Sequence, residues 1–119
     1  MSRPATTLLV FGCYLLGLSA TLVIAPNLLL VLFGMAPTSE VWIRVAGMLL
    51  LFLGAYDVLA ARAELRRFIA WSVPLRLSVP VFFGAFVAAG LVSPVLMLFA
   101  AVDVAAALWT WTALRREPT

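Results

Sequence analysis

Residues 41–62 read VWIRVAGMLLLFLGAYDVLAAR, an apolar run long enough to cross a bilayer that nonetheless carries Arg44 near its start and Asp57 near its end. An ionised side chain at bilayer depth costs roughly 2.5–3.5 kcal/mol on insertion scales, so two on one span need partners on other elements. Arg76 and Asp103, each inside a later apolar run, are the candidates. The chain is therefore expected to be organised around these four charges, turned inward among helices.

Composition points the same way. The chain is 66% hydrophobic and 11% charged, against about 45–50% and about 25% in soluble domains. Its 119 residues suffice for one compact unit of several spans. The expected class is all-α: a single transmembrane domain built as an integral membrane four-helix bundle, with a short interfacial helix after span one. All eight basic residues are arginine, six flanking the apolar runs and two inside them. The net charge of +3 thus reflects topology and calls for no nucleic acid. Cys13 is the sole cysteine, which excludes an internal disulfide, and histidine is absent. His-ligated haem, the usual zinc sites and His-based acid–base chemistry fall away, and no metal or cofactor is expected.

Span one is expected over about 5–24. Cys13, Gly17 and Thr21 recur every fourth residue, a stripe of small side chains suited to close helix approach. Pro26 and Asn27 then interrupt the pattern. The run Leu28–Phe33 is too short to cross and reads as a helix near the membrane surface, the alternative being a Pro-kinked continuation of span one. Span two is expected over about 40–61, with Ser39 as its N-cap and Glu40 placed to pair with Arg44 four residues on. Glu40, Arg44, Gly47, Leu51, Gly54 and Ala61 share one side, with Asp57 at its edge.

Span three, about 68–89, places Arg76 between Pro74 and Pro80. Each proline removes a ladder bond, so a kink is expected at this arginine, and Ser72 shares its face. Span four, about 95–114, presents Ala100, Asp103, Ala106, Ala107 and Thr110 as a narrow stripe of small and polar residues. Trp42, Trp71, Trp109 and Trp111 lie near the ends of apolar runs, where tryptophan belongs to the interfacial belt. The segment starting Asp57-Val58 resembles that starting Asp103-Val104, a weak internal repeat.

With four spans, Arg3, Arg62, Arg66, Arg67, Arg115 and Arg116 fall on one side, and the loops of the other side contain no arginine. The positive-inside rule then places the protein in the cytoplasmic membrane with both termini in the cytoplasm. Rise per residue puts Arg76 and Asp103 at similar depth, so they are expected to pair, with Asp57 a second partner. No nucleophile–base set is present, so no catalytic residue is assigned and the chain is not expected to be an enzyme. The polar centre of Arg76, Asp103, Asp57 and Arg44 is structural or binding. The expected role is an accessory subunit or a binder of a small lipophilic molecule, with the lipid bilayer, a second copy or a membrane-complex partner as company. The alternative is a small proton- or ion-coupled transporter using Asp57, Arg76 and Asp103.

Pro26, Leu32-Phe33-Gly34, Arg44 with Gly47, Leu53-Gly54 with Tyr56, Ala60-Ala61-Arg62, Arg76 and Asp103 with Ala107, Trp109 and Thr110 resemble the small bacterial four-span proteins of the BphX-like kind. The DoxX-like proteins share that general architecture. The resemblance implies a four-helix membrane bundle and transfers no catalytic residue.

Overall fold

The structure is a computed structural model that describes residues 1–117. It contains five helices: α1 (Arg3–Ile24), α2 (Pro26–Leu32), α3 (Trp42–Arg62), α4 (Arg66–Ala88) and α5 (Leu96–Arg116). No strand occurs among the described residues, so the all-α expectation holds. Four helices have 21–23 residues and are long and apolar enough to cross a membrane. At 1.5 Å per residue each measures about 32–35 Å, against a hydrocarbon core of about 30 Å.

The helix ends follow local chemistry. α1 starts two residues earlier than expected because the Ser2 hydroxyl accepts the Ala5 N–H at 3.2 Å, an N-cap, and Pro4 suits a first turn. α1 stops at Ile24. Ala25 has φ −141°, outside the helical region, and Pro26 opens α2, so α2 is a separate helix and not a kinked extension. The expected Ser39 cap is absent: α3 begins at Trp42 and its first carbonyl bonds run to Val41. The preceding loop is held instead by Asn27, whose Oδ1 accepts the Thr38 N–H at 2.8 Å, and by Thr38 Oγ1, which accepts the Glu40 N–H at 3.1 Å.

Three helices end in the same way. A residue with φ of 55–74° stands just past the helix, and the next N–H closes a bond five residues back: Met35 to Leu30, Leu65 to Ala60 and Leu91 to Phe86. This left-handed cap favours glycine, which α2 and α4 supply as Gly34 and Gly90. After α3 the position is filled by Glu64.

The internal contacts divide the described residues into two compact units: residues 1–8 with those from 60 onward, and residues 9–59. In the second unit α1 and α3 meet backbone to backbone. A Cβ added to Gly47 would lie 2.8 Å from Leu22 Cβ and 3.1 Å from Val23 N. One added to Gly54 would lie 3.1 Å from the Gly12 carbonyl, and one added to Gly12 2.9 Å from Val58 Cγ2. The meeting face of α1 is therefore Gly12, Leu15, Leu16, Leu22 and Val23. This corrects the expected stripe: Cys13 is exposed, and open space surrounds Gly17. Small size alone does not choose the face, because a close approach also needs a neighbour of matching shape.

In the first unit α4 and α5 pack along one another. α4 buries Ile69, Ser72, Val73 and Arg76, and α5 buries Ala100, Ala107, Thr110 and Ala113. Small residues on α5 make room for the arginine of α4. α4 runs as one helix through Pro74 and Pro80. Much of the remaining surface is apolar: Val81, Trp42, Leu75 and Leu59 are 65–71% exposed. Soluble monomers rarely expose apolar surface on this scale.

Candidate functional site

Arg76 is 6% exposed and lies in the first unit with a set of hydroxyls. Its Nη2 donates to Thr110 Oγ1 at 2.9 Å and to Ser72 Oγ at 3.0 Å, and its Nε donates to the Ser72 carbonyl at 3.3 Å. Ser72 Oγ in turn donates to the Ile69 carbonyl at 2.6 Å, which leaves its lone pairs for the guanidinium. The network extends to α1, where Thr7 Oγ1 lies 2.7 Å from Thr110 Oγ1. Thr7 and Thr110 are 2% and 0% exposed.

The hydrogens of this network can be counted. Thr7 Oγ1 is near the Pro4 carbonyl at 2.7 Å, and Thr110 Oγ1 is near the Ala106 carbonyl at 3.1 Å. Two hydroxyl hydrogens thus serve three contacts, the third being the bond between the threonines, so two are made at any moment. In every arrangement Thr110 keeps a lone pair toward Arg76. The hydroxyl pair links the start of α1 to α5 whenever the bond between the threonines is one of the two made, and the guanidinium joins α4 to α5.

Asp103 was the expected partner, but the α5 group that accepts from Arg76 is Thr110. The reason is side-chain direction. Helical side chains lean toward the N-terminus of their own helix, so Arg76 reaches back to the level of Ser72. Ser72 is level with Thr110, since both accept from one nitrogen. Depth counted along the backbone alone leaves out this lean of about one turn. Asp103 is half-buried two turns from Thr110 and remains within electrostatic reach of Arg76.

Arg44 and Asp57 belong to the second unit. Arg44 was expected to pair with Glu40, yet its Nη1 donates to the Val23 carbonyl, and to the Ile24 carbonyl at 3.3 Å. These are the last carbonyls of α1. The Leu28 N–H, which would continue the ladder to Ile24, bonds Ala25 at 3.2 Å instead. Arg44 therefore caps the broken end of α1, where a cation is also favoured by the helix dipole. Asp57 is half-buried where α3 passes Gly12: its Cβ would lie 3.1 Å from a Cβ at that glycine.

Two contacts at the start of α1 were missed in the sequence. Glu64 accepts the Ser2 N–H and the Ser2 hydroxyl, both at 2.7 Å. The hydroxyl bond first, then the backbone bond, holds its carboxyl below the usual glutamate range. Glu117 accepts the Arg3 N–H at 3.0 Å. In the sequence residues 1–7 form a short polar stretch with Arg3 as its only charge, and nothing among them marks Ser2 as a cap. Arg66 adds a bond from Nη2 to the Leu114 carbonyl at 3.1 Å.

Among the described residues no group of three or more His, Cys, Asp or Glu side chains could hold a metal ion. The described residues thus define an all-helical protein with four helices of membrane-spanning length and a buried, hydroxyl-bound arginine. No protein-family model matches the chain, and no curated protein or solved structure matches it.

Proposed function

We propose that this chain is a four-span integral protein of the cytoplasmic membrane, with both termini in the cytoplasm. It acts without catalysis, as an accessory subunit or as a binder of a small lipophilic molecule. The observation that supports this reading is the use made of Arg76. Its Nε and Nη2 are taken up by Ser72 and Thr110 within the protein, which is how a structural lock behaves. The apolar outer faces of the helices then make the contacts with lipid, a second copy or a membrane partner. The likeness to BphX-like proteins agrees with this architecture and brings no reaction with it.

The competing activity is proton- or ion-coupled transport through Asp57, Arg76 and Asp103. Purified protein in liposomes carrying an internal pH dye separates the two. An imposed gradient is expected to produce no more proton flux than empty liposomes. Flux that disappears in an Asp103→Asn variant of unchanged melting temperature would replace the accessory role with transport. Reporter fusions at the C-terminus and within 35–39 are expected in opposite compartments, and a shared compartment would overturn the topology.

A further inference from the structure

The first unit contains an open cavity of about 260 Å³ lined by Arg3, Thr6 and Thr7 of α1 and by Trp109, Thr112 and Arg116 of α5. We propose that it binds a phosphate-bearing anion, presented in the membrane as the headgroup of an anionic phospholipid. The proposal rests on the four-span reading and gives its lipophilic ligand a chemistry.

The lining carries two guanidinium groups and no carboxylate. Arginine forks match the oxygens of a phosphate and keep their charge at every relevant pH. The threonines form walls rather than donors, since the Thr6 and Thr112 hydroxyls donate to the carbonyls of Ser2 and Trp109. Thr7 closes the inner side, fixed through Thr110 to Arg76. Several other charges at this end are engaged elsewhere. Arg115 stacks on Trp111 at 4.9 Å, and the Glu64 carboxylate is bound to Ser2. Glu117 sits on the Arg3 N–H, with one oxygen 3.9 Å from Arg3 Nε. A carboxylate therefore already rests against one of the two arginines, by a contact of the weak surface kind that a phosphate can displace.

Position favours lipid as the source. Arg3 starts α1 and Arg116 ends α5, so both lie at headgroup depth on the proposed cytoplasmic side. From Trp109 the α5 face continues through Val102 to Leu98, all exposed and apolar, at helical spacing that would carry an acyl chain toward the bilayer centre.

The test uses full-length protein in phosphatidylcholine bilayers with Trp42, Trp71 and Trp111 changed to Phe, so that Trp109 reports alone. Phosphatidylglycerol brominated on its acyl chains should quench Trp109 at a lower mole fraction than brominated phosphatidylcholine. Arg3→Gln or Arg116→Gln should each weaken that preference about fivefold. Glu117→Gln should strengthen it, by releasing Arg3. Arg67→Gln, a surface arginine outside the cavity, should leave it unchanged, and millimolar inorganic phosphate should not displace the lipid. An equal loss in Arg67→Gln would reduce the effect to general surface charge and overturn the site. Displacement by phosphate would make the free anion the ligand and overturn the lipid assignment. Equal quenching by both lipids removes the site but leaves the membrane reading, whereas no quenching by either removes the membrane reading itself.

Discussion

The α1–α3 pair and the α4–α5 pair solve one problem in opposite ways. On the proposed membrane reading the helices gain little from hiding apolar side chains, so their association must come from close packing or from polar bonds. In the α1–α3 pair three glycines, Gly12, Gly47 and Gly54, bring the backbones together. The α4–α5 pair takes a guanidinium into its contact, and Thr110 and Ser72 meet it with directed bonds. The first arrangement is sensitive to volume and indifferent to chemistry. The second is sensitive to chemistry, because an unmet charge in an apolar interior is costly.

The sharpest way to break this contrast is to add volume. Gly47→Leu should destabilise by about 3 kcal/mol, since its neighbours include the Val23 backbone nitrogen, which cannot move aside. Gly17→Leu, in open space, should change stability by less than about 0.5 kcal/mol. Thermal melting in detergent checks both, and equal losses would erase the distinction between the two faces of α1.

A smaller effect is expected where the glycine-packed pair uses chemistry after all. Arg44→Met frees the Val23 and Ile24 carbonyls and should cost about 1 kcal/mol. Hydrogen exchange should quicken around residues 22–28 and stay unchanged in α5. Exchange that rises evenly over the chain would show that Arg44 is no local cap.

The smallest effect concerns the exposed Glu64 contact. Its carboxyl is held below the ordinary glutamate value of about 4.5 by Ser2, so its contribution is complete only above that value and disappears as pH falls from there through the lowered one. Melting temperature against pH should show a step below about pH 4.5 that Glu64→Gln lacks. Glu64→Gly should lose the step too, but recover stability at low pH by relieving the left-handed backbone at φ 55°. A step that persists in Glu64→Gln would assign it to another carboxylate.

What was legible in the sequence was set by period and length. Four apolar runs became four helices, because a 20-residue pattern with charged connectors admits few other shapes. The importance of Arg76, and its neighbour Ser72 four residues back, followed from helical spacing. The polar ends were less legible. Ser2 lies outside the expected span and Thr7 within its first turn, and neither stands out, since a cap is a matter of one hydroxyl meeting one N–H and carries almost no sequence signal. The small-residue stripe Cys13–Gly17–Thr21 misled because it obeys the right spacing while Gly12, one position away, meets α3. Asp103 was favoured over Thr110 because opposite charge outranks a hydroxyl in sequence, whereas a side chain that leans one turn back decides in three dimensions.

The claim that Arg76 is locked structurally through Thr110 is tested most directly by a double-mutant cycle on unfolding free energy. Thr110→Val strips an acceptor from a buried guanidinium, while Arg76→Met lets both hydroxyls fall back on the carbonyls of Ile69 and Ala106. Thr110→Val alone should therefore be the more damaging, and the double variant should recover most of its loss. The coupling energy expected for Arg76 with Thr110 is about 1.5–3 kcal/mol, and larger than that for Arg76 with Asp103. Additivity of Arg76 and Thr110 within about 0.5 kcal/mol, or a stronger coupling to Asp103, would contradict the lock.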